Sequence, residues 1–342
     1  MNRFEYTKPR SVAEAAALAT ATVADAMVSS SPGALPAQAV LKAGGMDLLD
    51  LMKEDVLRPV RVVHLRDLPG LGEVRDEGPA GLLIGALVTL AVIADHPLVK
   101  QRYAALANAA EHSGHPQVRN VATLGGNLAQ RPKCWYFRQA EFHCLKKGGA
   151  TCFAIAGEHQ YHAIADNGLC PIVHPSTAAT ALVAFGASVE IAGREAARSV
   201  PVEQFFVSPG QDVRRENVLR AGDVITGVRL PAMPSGTRSA HIKQAERESF
   251  DWSVADVAVV LQRAGDGRVS RASVVLGAAA PAPWRARAAE QALAGRPLTE
   301  DTAREAARLA LQGATPLPRN AYKMPMFEAV VRRTIMQAAS VA

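Results

Sequence analysis

Residues 41–53 read LKAGGMDLLDLMK, and residues 118–128 read VRNVATLGGNL. Each places a Gly-Gly pair where an extended run gives way to a polar residue. Glycine reaches positive φ and lets a backbone come close to a ligand. Successive exposed amides then form an anion-binding concavity, and a following helix adds favourable partial charge. Either pair alone also reads as an ordinary turn. Neither matches the dinucleotide fingerprint with its downstream acid, and no phosphate loop ends in Gly-Lys-Ser/Thr. A nucleotide held by these pairs would need another architecture.

Working outward, residues 4–7 and 37–42 read as strands. Ser11 opens a helix with Glu14 three residues on, and 48–53 reads as a second helix. Strands follow at 61–65 and 82–86. Thr89 caps a short helix, and 98–112 reads as one longer helix. Ser176 caps a helix to about residue 184, with strands at 188–191 and 224–230. The last third changes character. Residues 254–262 and 268–276 form a hairpin around Gly265-Asp266-Gly267, and 284–293, 300–311 and 322–339 read as helices.

The 342 residues call for two or three domains. Hydrophobic residues make up 49%, enough for large cores. The net charge of +6 is spread without a basic stripe and aromatics are only 5%, which argues against nucleic-acid binding. No apolar run reaches the length of a membrane span. The N-terminus reads as mature protein without a signal peptide. The expected location is cytoplasmic, or periplasmic if a partner carries the signal.

Cys134, Cys144, Cys152 and Cys170 all fall in residues 131–171, an irregular segment with few periodic apolar positions. Structural zinc, disulfides, free thiols and an iron–sulfur cluster all remain open on this pattern. Zinc sites mostly use Cys pairs two to four residues apart, and none occurs here. Arg131, Lys133, Arg138, Lys146 and Lys147 flank the cysteines, either as a solvated basic face or as charge that offsets a thiolate-bound cluster.

The two glycine segments, with IGALVTL (84–90), HPSTAATALVAFGA (174–187), GDVITGVRLP (222–231), KQAERESFDWSVADVAV (243–259) and APAPWRARAAE (280–290), occur in an order spanning nearly the whole chain. This set resembles the FAD-binding medium subunits of the xanthine dehydrogenase family of molybdenum hydroxylases. With its cysteine insert it is most similar to the periplasmic aldehyde oxidoreductase type. The flavin subunit of 4-hydroxybenzoyl-CoA reductase has a comparable insert.

The resemblance implies an α+β fold. Two FAD-binding subdomains of the vanillyl-alcohol-oxidase-like kind would span 1–57 and 58–230, followed by a C-terminal sheet-and-helix domain at 231–342. Lys42, Ala43, Gly44, Gly45, Met46, Asp47 and Leu48 would contact the FAD pyrophosphate, as would Ala122, Thr123, Gly125, Gly126 and Asn127. Ile225 would lie beside the adenine or flavin, and Lys243 near the isoalloxazine. Ser176 and Thr177 stand where relatives carry Ser-Asp, which puts the second contact in doubt. The four cysteines would bind a [4Fe–4S] cluster. A large partner would carry the molybdenum cofactor and a small partner [2Fe–2S] clusters. No residue of this chain is assigned a catalytic role. The alternatives are an autonomous flavin oxidase, and the flavin subunit of a 4-hydroxybenzoyl-CoA reductase-like or N-heterocycle or xanthine dehydrogenase-like complex.

Overall fold

The computed structural model describes residues 1–28, 38–248 and 251–340. Three sheets, each with its own helices, follow one another along the chain. The first contains β1 (Glu5–Thr7), β2 (Ala39–Lys42) and β3 (Arg61–His64), in the order β1-β3-β2 and all parallel. The expected strand at 37–42 begins at Ala39; residue 37 lies outside the described residues. Because β3 is the middle strand, the first unit runs past residue 57, to at least His64. The two crossovers carry the helices Val12–Leu18 and Leu48–Lys53. Ser11 caps the former by accepting from the Glu14 amide at 3.1 Å, and Glu14 accepts from the Arg10 amide at 2.7 Å.

The second sheet has five antiparallel strands in the order β4-β5-β8-β6-β7, with β4 (Val74–Asp76), β5 (Leu82–Gly85), β6 (Ser188–Ala192), β7 (Arg198–Pro201) and β8 (Val224–Leu230). Alanine-rich helices cover it. Ala104–Glu111 and Thr177–Phe185 bury Leu106, Ala109, Leu182 and Phe185 in one core with Ile84, Val189 and Val228. The region 98–112 is two helices, not one. Tyr103 breaks it with φ −136° and ψ 50°, between Pro97–Arg102 and Ala104–Glu111. The Tyr103 hydroxyl donates to the Pro231 carbonyl at 2.9 Å, and its ring meets Phe185 edge-on. That tertiary anchorage overrides an otherwise continuous helical pattern.

The third sheet runs β12-β11-β10-β9, all antiparallel, with β9 (Arg238–Gln244), β10 (Ala255–Arg263), β11 (Val269–Gly277) and β12 (Trp284–Arg285). The hairpin expected at residues 265–267 joins β10 to β11. Helices Arg287–Leu293, Glu300–Leu309 and Lys323–Ser340 bury Ala289, Ala306, Phe327, Val331 and Ile335 against one face. The other face presents Ala258, Val260 and Val275 to the core of the second unit. Residues 284–293 do not form a single helix, since Trp284 and Arg285 pair with Leu276 and Val275 before the helix starts. No helix among the described residues is long and apolar enough to cross a membrane.

Candidate functional site

The two glycine segments face each other. Gly45 sits at φ +87°, in the left-handed region. At Gly44 an added Cβ would lie 2.2 Å from the Val121 carbonyl oxygen, so only glycine lets the first loop close on the segment before the second. A Cβ on Gly126 would stand 3.1 Å from Thr123 Oγ1 and 3.9 Å from Ala43 Cβ. The second pair does not follow a regular strand. It opens the short helix Leu124–Leu128, capped by Thr123, which accepts from the Gly126 amide at 3.3 Å. Residues 122–125 instead hydrogen-bond alongside 86–90: Leu124 and Gly125 donate to the Val88 and Ala86 carbonyls, each at 2.9 Å.

Between the loops opens a cleft of about 410 Å³. Of the residues singled out in the sequence, Lys42 to Leu48, Ala122, Thr123, Gly126, Asn127, Thr177 and Lys243 line it. A neighbouring cavity of about 150 Å³ shares Val23, Leu41, Ala43, Gly126 and Ala129 with the cleft, and Gly125 and Ile225 line it. The two cavities lie side by side between the first and second units, with Ala43 and Gly126 on the walls of both. Ser176 lines neither. Its hydroxyl caps the helix Thr177–Phe185, accepting from the Ala179 amide at 3.0 Å, and donates to Asn127 Oδ1. It therefore braces a cleft residue from behind. Thr177 Oγ1 donates to the Ala109 carbonyl at 2.9 Å and lies 2.5 Å from Ser113 Oγ.

Lys243 enters from the third unit. Its Nζ donates to the carbonyls of Asp251 at 2.7 Å and His112 at 2.9 Å. Burial lowers its pKa, opposed by Asp256 and Asp251. Asp256 lies directly across the strand pair from Lys243 and holds His241 Nε2 at 2.6 Å. Lys133, expected only as charge around the cysteines, also lines the cleft, and so do four residues to which the sequence reading assigned no role: Ser113, His115, Asp251 and Trp252. The last two lie in the motif at 243–259, which offered no chemical signal beyond its lysine.

All four cysteines line one void of about 10 Å³, with Phe137, Lys146 and His162. That is room for at most about one water, so the thiols themselves fill the space. None of the four is in a disulfide. Cys170 donates to Cys152. That bond, with the amides of Ala154 and Ile155 and against the effect of burial, holds Cys152 down to about 6 and pushes Cys170 up. Burial pushes Cys134 up to about 11. His162 Nε2 lies 3.2 Å from Cys134 Sγ, and burial brings its pKa down to about 4. No group of three or more His, Cys, Asp or Glu side chains among the described residues is arranged to hold a metal ion.

The flanking basic residues are neither a solvated face nor free charge around the thiols. Arg131 and Lys146 are buried on Glu216, at 2.7 and 2.6 Å. The two cations outweigh the burial penalty and hold the Glu216 pKa below its usual range. Lys133 and Arg138 pair with Asp47 at 2.5 and 2.6 Å, and Arg138 also reaches Asp50 at 2.9 Å. Lys147 donates to the Gln139 carbonyl at 2.5 Å. The segment also has its own packing, unlike the sequence expectation. Tyr136, Phe142 and Phe153 form an aromatic knot with ring centres 5.0–6.1 Å apart.

The cleft thus brings both glycine loops of the first two units and a lysine of the third unit onto one lining. Residues 2–233 match the FAD-binding domain in molybdopterin dehydrogenase, and residues 240–338 match the CO dehydrogenase flavoprotein C-terminal domain. The chain belongs to this family of FAD-binding flavoproteins. It is 38% identical to the aldehyde oxidoreductase FAD-binding subunit PaoB of Escherichia coli, over 73% of this chain and 78% of that one. Similarity to the carbon monoxide dehydrogenase medium chain of Hydrogenophaga pseudoflava is 29% identity over 98% and 97%. A solved structure of that organism's carbon monoxide dehydrogenase matches with TM-score 0.73 at 28% identity, covering 99% of this chain and 97% of that one. Quinoline 2-oxidoreductase from Pseudomonas putida 86 matches with TM-score 0.72 at 26%, covering 99% and 97%.

Proposed function

We propose that this chain is the FAD-bearing electron-transfer subunit of a heteromeric molybdenum oxidoreductase of the aldehyde oxidoreductase type. The observation that carries this reading is the cleft, whose walls include both glycine loops and Lys243. Bound there, FAD supplies the exchange of electrons between one- and two-electron carriers. The amides around Gly44–Gly45 and Gly125–Gly126 would hold its pyrophosphate, Ile225 would flank the adenine from the neighbouring cavity, and Lys243 would favour negative charge on the reduced ring. Thr177, with its hydroxyl engaged to Ala109, would contribute a wall.

Substrate oxidation is assigned to a large partner with the molybdenum cofactor, and electron delivery to a small [2Fe–2S] partner. The four cysteines would hold a [4Fe–4S] cluster. Their convergence on one void supports shared ligation, and the thiols would have to turn outward to admit the cluster. Two FAD-binding subdomains would be followed by a C-terminal domain beginning near residue 231, the first boundary falling beyond His64 because β3 pairs with β1 and β2. Co-expression with candidate partners tests the assignment. The expected result is a stoichiometric complex that oxidises aldehydes, and an isolated, FAD-loaded chain that does not. Steady aldehyde turnover by the isolated chain would favour the autonomous oxidase.

A further inference from the structure

A fourth cavity, of about 270 Å³, lies between the cleft and the thiol void. It shares Lys133, Asp251, Trp252 and Ser253 with the cleft, and Cys134 and His162 with the void. Rings supply much of its wall: Trp135, Tyr161, His162 and Trp252. Trp135 meets Tyr161 and His162 edge-on, with centres 6.0 and 5.7 Å apart. Trp252 stays 53% exposed, and Lys133 Nζ stands 4.9 Å from its ring centre. Open space bounded by aromatic rings favours a planar guest through stacking and edge contacts.

Charge and size narrow the guest. The carboxylates Glu246 and Asp251 line the chamber, and its cation, Lys133, is already committed to Asp47. A phosphate-bearing nucleotide would meet those acids without an amide nest. The volume also falls at the small end of ligand pockets, short of a dinucleotide. Tyr161 donates its hydroxyl to Glu246, which keeps the phenol in its neutral form.

We infer that this chamber binds the flavin's electron acceptor, a neutral para-quinone of one or two rings, beside the flavin cleft. The inference rests on the flavin reading of that cleft. The quinone would take two electrons and one proton from reduced flavin and a second proton from water, which leaves as hydroxide, to give the hydroquinone.

The probe is menadione, titrated calorimetrically into the full chain with and without FAD, alongside its rate of reoxidising the photoreduced flavin. Val173→Trp fills the chamber from a residue that does not line the cleft. It should weaken menadione binding and slow reoxidation about tenfold or more while FAD content is retained. Should Val173→Trp fail to fold by circular dichroism, Tyr161→Ala removes one ring and should weaken binding several-fold. A chain without flavin absorbance would sink the flavin reading and the acceptor role together. A flavin-loaded chain that gives no heat with menadione, or whose affinity survives the substitution, would overturn the chamber assignment alone.

Discussion

Replacing Asp47 by alanine tests whether the first glycine loop and the cysteine segment are one mechanical unit. Asp47 follows directly on the Gly44-Gly45-Met46 turn, and its carboxylate accepts from the Arg131 amide at 2.8 Å, Lys133 Nζ at 2.5 Å and Arg138 Nη2 at 2.6 Å. Its side chain is 17% exposed, with Lys133 at 18% and Arg138 at 11%. Removing one partner of a buried ion pair costs about 3–5 kcal/mol, mostly because the remaining charge stays buried. Arg138 keeps Asp50 and the Pro132 and Arg131 carbonyls, so the low end applies, about 3 kcal/mol. For a unit of this size that lowers the melting temperature by roughly 6–12 °C.

Burial raises the Asp47 pKa, but Lys133, Arg138 and the Arg131 amide more than offset it, so the folded value lies below the ordinary 3.8. A depressed folded pKa gives stability that is complete above the unfolded value and lost as pH falls through the folded one. The gap between wild type and Asp47→Ala should therefore stay level at neutral pH and close only below about pH 3.8. Thermal melts by near-ultraviolet circular dichroism measure it, and FAD content after gel filtration reports the glycine loop. An unchanged melting temperature with full FAD would refute the coupling, and a gap closing near pH 6 would point to another titrating group.

Three other perturbations bear on the groove and its supports. Gly126→Val places a branched side chain at the cleft wall, where Ala43 is 3.9 Å from the Cβ position; FAD should be lost while far-ultraviolet circular dichroism is kept, and full retention would make the second loop an ordinary turn. Gly45→Val is a less selective variant, because the left-handed φ and the Lys42 side chain 2.7 Å away penalise it with or without cofactor. Glu216→Gln leaves Arg131 and Lys146 facing a neutral group in a buried site, at a cost on the order of 3–5 kcal/mol in a denaturant titration.

Elements with a local chemical signature were legible in the sequence. Ser11, Thr89 and Ser176 each cap a helix as their spacing implies, and the glycine-flanked turn at 265–267 joins two strands. What was illegible depends on partners far along the chain. Tyr103 breaks a helix through a bond to residue 231. β9, RSAHIKQ, lacks a clean alternation, because His241 is buried on Asp256 of β10 and Lys243 on the carbonyls of His112 and Asp251. Glu216 gave no signal at all, although it gathers two cations from a segment about 70–85 residues earlier.

The cysteine segment carries the sharpest revision. Periodicity measures burial against a single face, and this segment has little of it. It packs instead through rings from separate turns and through ion pairs to Asp47 and Glu216, which leave no periodic trace. The chain therefore has means of ordering this segment apart from thiolate–metal bonds, and folding yield becomes a poor test of the cluster. Thiol chemistry is the better one. The bond to Cys152 and burial push Cys170 up, and burial pushes Cys134 up, so ligation must draw protons off both. Anaerobic purification should give about four irons per chain. Cys152→Ser should abolish the iron while the ion pairs still hold the fold, so FAD content should fall less than in Asp47→Ala. One zinc without iron, or two disulfides in the native protein, would remove the cluster and leave the flavin groove untouched.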